Sequence, residues 1–160
     1  MAILTQDRLK QVLRYNPDSG VFTRLLSVAQ AKAGSQAGSQ TSGYLAVRID
    51  GTLHYCHRLA WFYMTGQMPA GQIDHINGVG TDNRWCNLRD VSRRTNQQNR
   101  QKHQANNSCG LLGVSRNKGR FMSRIVLESG DRYLGTFDTP QQAHEAYLTA
   151  KRQLHAGCTI

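Results

Sequence analysis

The run Asp74-His75-Ile76-Asn77-Gly78 is followed by Asp82-Asn83-Arg84, Asn87-Leu88-Arg89 and Asn96-Gln97-Gln98-Asn99-Arg100. It gathers a carboxylate, an imidazole and several carboxamides, and surrounds them with arginines. A carboxylate and an amide oxygen are hard donors that suit a divalent cation such as Mg²⁺. An imidazole can take a proton from water near neutral pH, and guanidinium groups suit a polyanion. Together these groups have what metal-assisted hydrolysis of a phosphodiester requires.

Composition points to the same substrate class. The chain has 160 residues, a net charge of +10 and a hydrophobic fraction of 39%. That is enough apolar material for a core under a strongly positive surface, whose natural partners are nucleic acid or an anionic membrane. No apolar run approaches the ~20 residues of a membrane span. The N-terminus is interrupted by Asp7 and other polar residues instead of forming a signal core. Nucleic acid is therefore the expected partner, no membrane is expected, and the expected location is cytoplasmic. Cys56, Cys86, Cys109 and Cys158 form no C-x-x-C pair, so a zinc knuckle is not expected and the thiols fit a reducing compartment.

The elements that must position these residues follow from patterning. Thr5 to Tyr15 has helical spacing at Leu9, Val12 and Leu13, with Thr5 as N-cap. Asn16-Pro17-Asp18-Ser19-Gly20 is a turn before a short strand at 21–24. Ala31 to Gly43, rich in Gly, Ser, Ala and Gln, is expected to be a flexible loop. Asp50-Gly51 should turn a hairpin between Tyr44–Ile49 and Leu53–Cys56, followed by a helix from His57 to Met64. Gln72 to His75 is a strand ending at the chemically loaded residues. Asn77 to Asn87 is a polar loop, Leu88 to Val91 a second strand, and Ser92 can cap a helix to about Lys102. In this layout Asn87 lies across the loop from His75 and can orient the imidazole, while Asn96 can turn toward Asp74. His54, His57, His103, His144 and His155 have no motif partners, and His57, at the head of a helix, is expected to be structural.

These motifs, together with His57-Arg58-Leu59, resemble HNH nucleases of the ββα-metal fold, in particular the phage and intron-associated homing endonucleases, over residues 57–100. The resemblance implies an α+β fold and an endonuclease acting on double-stranded DNA, in a host cytoplasm if phage-encoded, with His75 as general base. It also implies Asp74 and Asn96 as ligands of Mg²⁺ (or Mn²⁺), with Asn87 positioning His75. Many HNH enzymes have a second histidine where this chain has Asn96, and an amide oxygen favours Mg²⁺ or Mn²⁺ over Zn²⁺. Arg84, Arg89, Arg93, Arg94, Arg100 and Lys102, opposed only by Asp90, are expected to contact the DNA backbone.

Residues 110–160 show three short strands, at 113–115, 120–127 and 132–137. A helix follows from the Thr139-Pro140-Gln141-Gln142 capping box to about Leu154. Gly113-Val114, Gly119-Arg120-Phe121, the run Tyr133 to Thr139 and Ala143-His144-Glu145-Ala146-Tyr147 resemble the APETALA-two domain of plant ethylene-response factors. That family lays a three-stranded sheet in the DNA major groove. The resemblance implies DNA contacts from Arg116, Lys118, Arg120 and Arg124, with Arg132 and Tyr133 on the third strand. Phe121 and Tyr133 replace the usual tryptophans, and Arg124 replaces a commonly acidic residue, so base preference does not transfer.

The expected organisation is therefore an N-terminal segment (1–42), a nuclease core (43–102), a linker (103–109) and a DNA-binding module (110–160). A monomer with one active centre is expected. The alternative from another class is a non-cleaving, sequence-specific DNA-binding regulator that keeps the core only as a scaffold.

Overall fold

The computed structural model describes residues 3–99, 107–127, 129–155 and 158. The fold is α+β, built from helices and small antiparallel sheets. The chain forms two compact units, Met1–Ser92 and Arg93–Ile160.

The first unit opens with α1 (Gln6–Val12), whose first turn is closed by the Thr5 hydroxyl accepting the Arg8 N–H. The helix stops three residues short of the expected Tyr15. Leu13–Tyr15 instead forms β1, which pairs with β2 (Phe22–Arg24) across the Asn16–Gly20 turn. The alternation of buried Leu13 and Tyr15 around exposed Arg14 suits a half-buried strand, and tertiary pairing overrides helical spacing.

The loop expected from Ala31 to Gly43 also contains structure. β3 (Gln36–Ala37) adds to β2, and β4 (Ser39–Thr41) adds to β5 (Tyr44–Ile49). Ala37 is buried and pairs with Phe22. Small residues make such a stretch resemble a linker by composition, while here they let the chain pass close to the core. β6 (Thr52–Tyr55) returns from β5 through Asp50-Gly51, both at positive φ, as a primed turn requires.

Next come α2 (Cys56–Thr65), β7 (Gln72–His75), a 3₁₀ turn (Trp85–Asn87) and β8 (Leu88–Val91). One apolar cluster joins Leu9, Leu13, Tyr15, Phe22, Val47, Leu59, Ile73 and Leu88. Residues 1–42 thus share a core with the segment that carries Asp74 and His75, which corrects the expected separation at residue 42. The chain divides after Ser92 rather than near Lys102, because the buried apolar positions of this core end with Leu88.

The second unit contains α3 (Arg93–Gln98), then β9 (Val114–Asn117), β10 (Arg120–Leu127) and β11 (Gly130–Phe137) in the order β11-β10-β9, and α4 (Pro140–Leu154). Thr139 caps α4 by accepting the Gln142 N–H. Ala143 and Ala150 of α4, with Val114 and Ile125 of the sheet, are buried.

Gly113 has φ +71, and a Cβ there would overlap the Tyr147 ring. Gly113→Ala is therefore expected to destabilise this unit by about 1–3 kcal/mol. The measurement is the urea midpoint, with Gly119→Ala as comparison because a Cβ at Gly119 meets open space at similar φ. Equal losses in the two variants would remove the packing argument.

Candidate active site

β7 and β8 pair with Asp74 opposite Arg89 and His75 opposite Leu88. Cross-strand neighbours on one face lie within side-chain reach, so Arg89 meets Asp74 in an ion pair. Its Nε and Nη2 both approach Asp74 Oδ2, at 2.8 and 2.7 Å. Asp74 and His75 are each only 5% exposed.

The loop from Asn77 to Asn87 is held by carboxamides. The Asn77 N–H donates to Asn87 Oδ1 at 2.9 Å, and Asn87 Nδ2 donates to Asn77 Oδ1 at 3.0 Å and to the Asp82 carbonyl at 2.8 Å. Asn77 Nδ2 and the Arg84 guanidinium donate to the Asp82 carboxylate. The Arg84 hydrogen bond is the main reason the Asp82 carboxyl is lowered to about 2. This loop is a closed polar network, stiff before any substrate arrives.

Asn83 is the residue that faces the imidazole. It is 1% exposed, and its Oδ1 lies 3.2 Å from His75 Nε2. In the tautomer that bonds to this oxygen, Nε2 carries the proton and the lone pair resides on Nδ1. The Asn83 backbone is braced in turn by the N-terminal hairpin. The Tyr15 hydroxyl donates to the Asn83 carbonyl at 2.6 Å, and the Trp85 N–H donates to the Pro17 carbonyl at 2.9 Å. Gly20, at φ +72, lies so close that a Cβ would overlap the Asn83 and Arg84 backbone.

Burial pushes the His75 pKa below the usual imidazole value, while Asn83, Asp74 and Asp82 oppose the shift. His57, from the first turn of α2, sets its ring edge against that of His75 with centroids 5.2 Å apart. Burial is the main cause that lowers the His57 pKa to about 4, with His75 and Arg58 adding to it, and its Nδ1 is buried without a partner. Both imidazoles are therefore neutral at pH 7 in the folded chain.

For His57 the consequence is a stability that depends on pH. The unfolded chain takes up this proton near ~6.5 and the folded chain only near 4. Between those values the unfolded state binds more protons, so stability falls as pH is lowered through the window. Between pH 7 and pH 5 this group should contribute a loss of about 1–2 kcal/mol. Comparing urea midpoints at the two pH values with those of His57→Phe checks it, since the variant should show a smaller fall.

The sequence reading has Asn87 orient the imidazole; in the structure Asn83 Oδ1 faces His75 Nε2, and Asn87 ties down the loop that carries Asn83. The Asp-Asn-Arg triplet was visible in the sequence, but nothing in its spacing singles out the middle residue. Arg84 and Arg89, expected on DNA, are each engaged by a carboxylate, Asp82 and Asp74 respectively. Asp90, the lone acid among the arginines, accepts the Ala70 and Gly71 N–H groups. Arg93, Arg94 and Asn96 lie on α3 in the second unit. Arg100, Lys102 and His103 lie outside the described residues.

The basic residues of the C-terminal sheet divide between its two faces. Arg124 is opposite Tyr133, and exposed Arg120 is in step with Arg124 along β10. Arg116 is opposite Phe121 and Arg132 opposite buried Ile125, which puts them on the side that turns toward α4. Arg116 stacks its guanidinium over Phe121, and Arg120 pairs with Asp138. Lys118 sits in the β9–β10 turn at positive φ.

A hard-cation site agrees with the donors present. Asp74 is a buried carboxylate, and no group of three His, Cys, Asp or Glu able to hold a metal occurs among the described residues.

The first unit thus sets a buried imidazole beside a buried carboxylate at the end of β7. Residues 54–98 match the HNH endonuclease family, a segment that runs from β6 through α3. The match supports a nuclease, a hydrolase whose substrate is DNA. Neither the search of curated proteins nor that of solved structures gave a match. No helix among the described residues is long and apolar enough to cross a membrane.

Proposed function

We propose that the chain is a metal-dependent DNA endonuclease of the homing type, with His75 as general base. The observation that carries this reading is the neutral, buried His75 imidazole with Nε2 against Asn83 Oδ1, which directs its basic lone pair to Nδ1. His75 Nδ1 takes a proton from water as the water oxygen attacks phosphorus in line. The P–O bond to the 3′ oxygen breaks and that oxygen takes a proton from solvent water, leaving a 5′-phosphate and a 3′-hydroxyl. The resemblance to HNH enzymes assigns cation binding to Asp74 and Asn96. Bound there, Mg²⁺ or Mn²⁺ supplies charge stabilisation to the scissile phosphate and the departing oxygen.

Arg89 holds the Asp74 carboxylate in a fixed orientation. Arg93, Arg94, Arg100 and Lys102 supply backbone contacts, and the C-terminal sheet selects the site through Arg120, Arg124 and Tyr133. Residues that position the backbone and residues that read the grooves are then separate, a usual division in DNA recognition. A mobile element or phage genome is the expected setting.

Incubating supercoiled DNA with protein tests the reading. Nicking in Mg²⁺ that stops with chelator is the expected result. A gel shift without scission in any divalent cation would instead favour the non-cleaving regulator.

A further inference from the structure

The β5–β6 hairpin places a half-exposed aromatic pair beside His75. Val47 and Ile49 of β5 are buried in the core, so Tyr44, Ala46 and the partner of Ala46, Tyr55, share the opposite face. Tyr44 and Tyr55 are each 39% exposed and meet edge to face, with centroids 5.9 Å apart. Their inner edges continue into the site. Tyr44 lies 5.8 Å from the His75 ring and 5.1 Å from His57, and Tyr55 stacks on His57 at 5.6 Å.

The site loop is fitted to this pair. A Cβ at Gly80 would stand 2.6 Å from the Gly43 carbonyl and 3.0 Å from the Tyr44 ring. Tyr15, by contrast, is buried and spends its hydroxyl on the Asn83 carbonyl. The Tyr44 and Tyr55 hydroxyls make no hydrogen bond among the described residues. These rings open to solvent at the imidazole that the proposed reaction uses, on a face that also carries exposed Arg48.

We infer that Tyr44 and Tyr55 form a binding subsite for the deoxyribose–phosphate backbone next to the cleaved bond, with the rings against sugar and the hydroxyls donating to phosphate oxygens. The inference rests on the nuclease reading for the identity of the cleaved bond. The continuous path of ring contacts from Tyr55 through His57 to His75 fixes which part of the DNA is meant: the nucleotides flanking the phosphate that His75 serves.

The test is DNA affinity by fluorescence anisotropy in chelator at one fixed salt concentration, with nicking kinetics in Mg²⁺ measured alongside. Tyr55→Ala is expected to weaken binding about 10-fold or more, and Tyr55→Phe about 2- to 10-fold, as for the loss of a stacked ring and of one hydrogen bond. Both should raise KM more than they lower kcat. Met68→Ala, exposed on a loop of the same unit, should change neither quantity. Wild-type protein irradiated with DNA containing 5-iododeoxyuridine should cross-link at Tyr44 or Tyr55, which decides the matter should a variant fail to fold. Nicking by the wild type with unchanged Kd and KM in folded Tyr55→Ala, or cross-links that avoid both tyrosines, overturns the subsite and leaves the nuclease standing. Weakened binding in the variants of a wild type that never nicks sustains a DNA surface and removes the nuclease.

Discussion

His75→Ala is expected to slow DNA cleavage by about 10²–10⁴-fold, the usual contribution of a positioned general base, while DNA affinity changes little. The ring is buried and its Nε2 faces Asn83 Oδ1, and the tautomer that bonds there carries its lone pair on Nδ1. Burial also keeps the imidazole neutral below the pH at which an exposed histidine takes its proton. The wild-type rate should therefore hold on mild acidification and fall only when pH drops through the lowered His75 pKa, below ~6.5. Single-turnover rates at saturating protein, with binding measured separately, check both points. Equal loss of affinity and rate in a folded variant would contradict the assigned role.

The second large effect belongs to Asn83. Asn83→Ala removes the acceptor from His75 Nε2, so the ring loses its fixed tautomer and orientation. Loss of a hydrogen bond of this kind, about 1–3 kcal/mol, corresponds to roughly 10- to 100-fold in kcat. Asn83→Asp makes the result diagnostic. A carboxylate at that place stabilises the cationic imidazole, so the acid limb of the rate should move to higher pH. A merely structural asparagine would give two destabilised proteins with unmoved limbs.

Much of this was legible in the sequence because local chemistry and tertiary structure agree there. The bounds of β7, β8, β10 and α4 follow from alternation and capping, and the Asp50-Gly51 turn from its need for positive φ. Leu13–Tyr15 and Ala37 were misjudged for a shared reason. Their conformation is set by pairing with β2, which lies outside the stretches read as a helix and as a loop. The site shows the same limit. Asp74 and His75 announce themselves by residue type, whereas the Asn83 backbone is held by Tyr15 and approached closely by Gly20, more than 60 positions earlier. The ion pairs of Arg84 and Arg89 were likewise hidden, since a basic run does not disclose which members already have carboxylates. On the C-terminal sheet, composition offered a basic strand set, and only the register separated Arg116 and Arg132 from Arg120 and Arg124.

Chemical rescue of His75→Gly addresses the base most directly, because the glycine leaves a ring-sized space where the buried imidazole stood. Single-turnover cleavage by that variant, bound to DNA in Mg²⁺, should rise in proportion to added imidazole and respond less to weaker bases of the same shape. A folded, DNA-bound variant whose residual rate ignores imidazole at every concentration would show that the proton leaves water by another route.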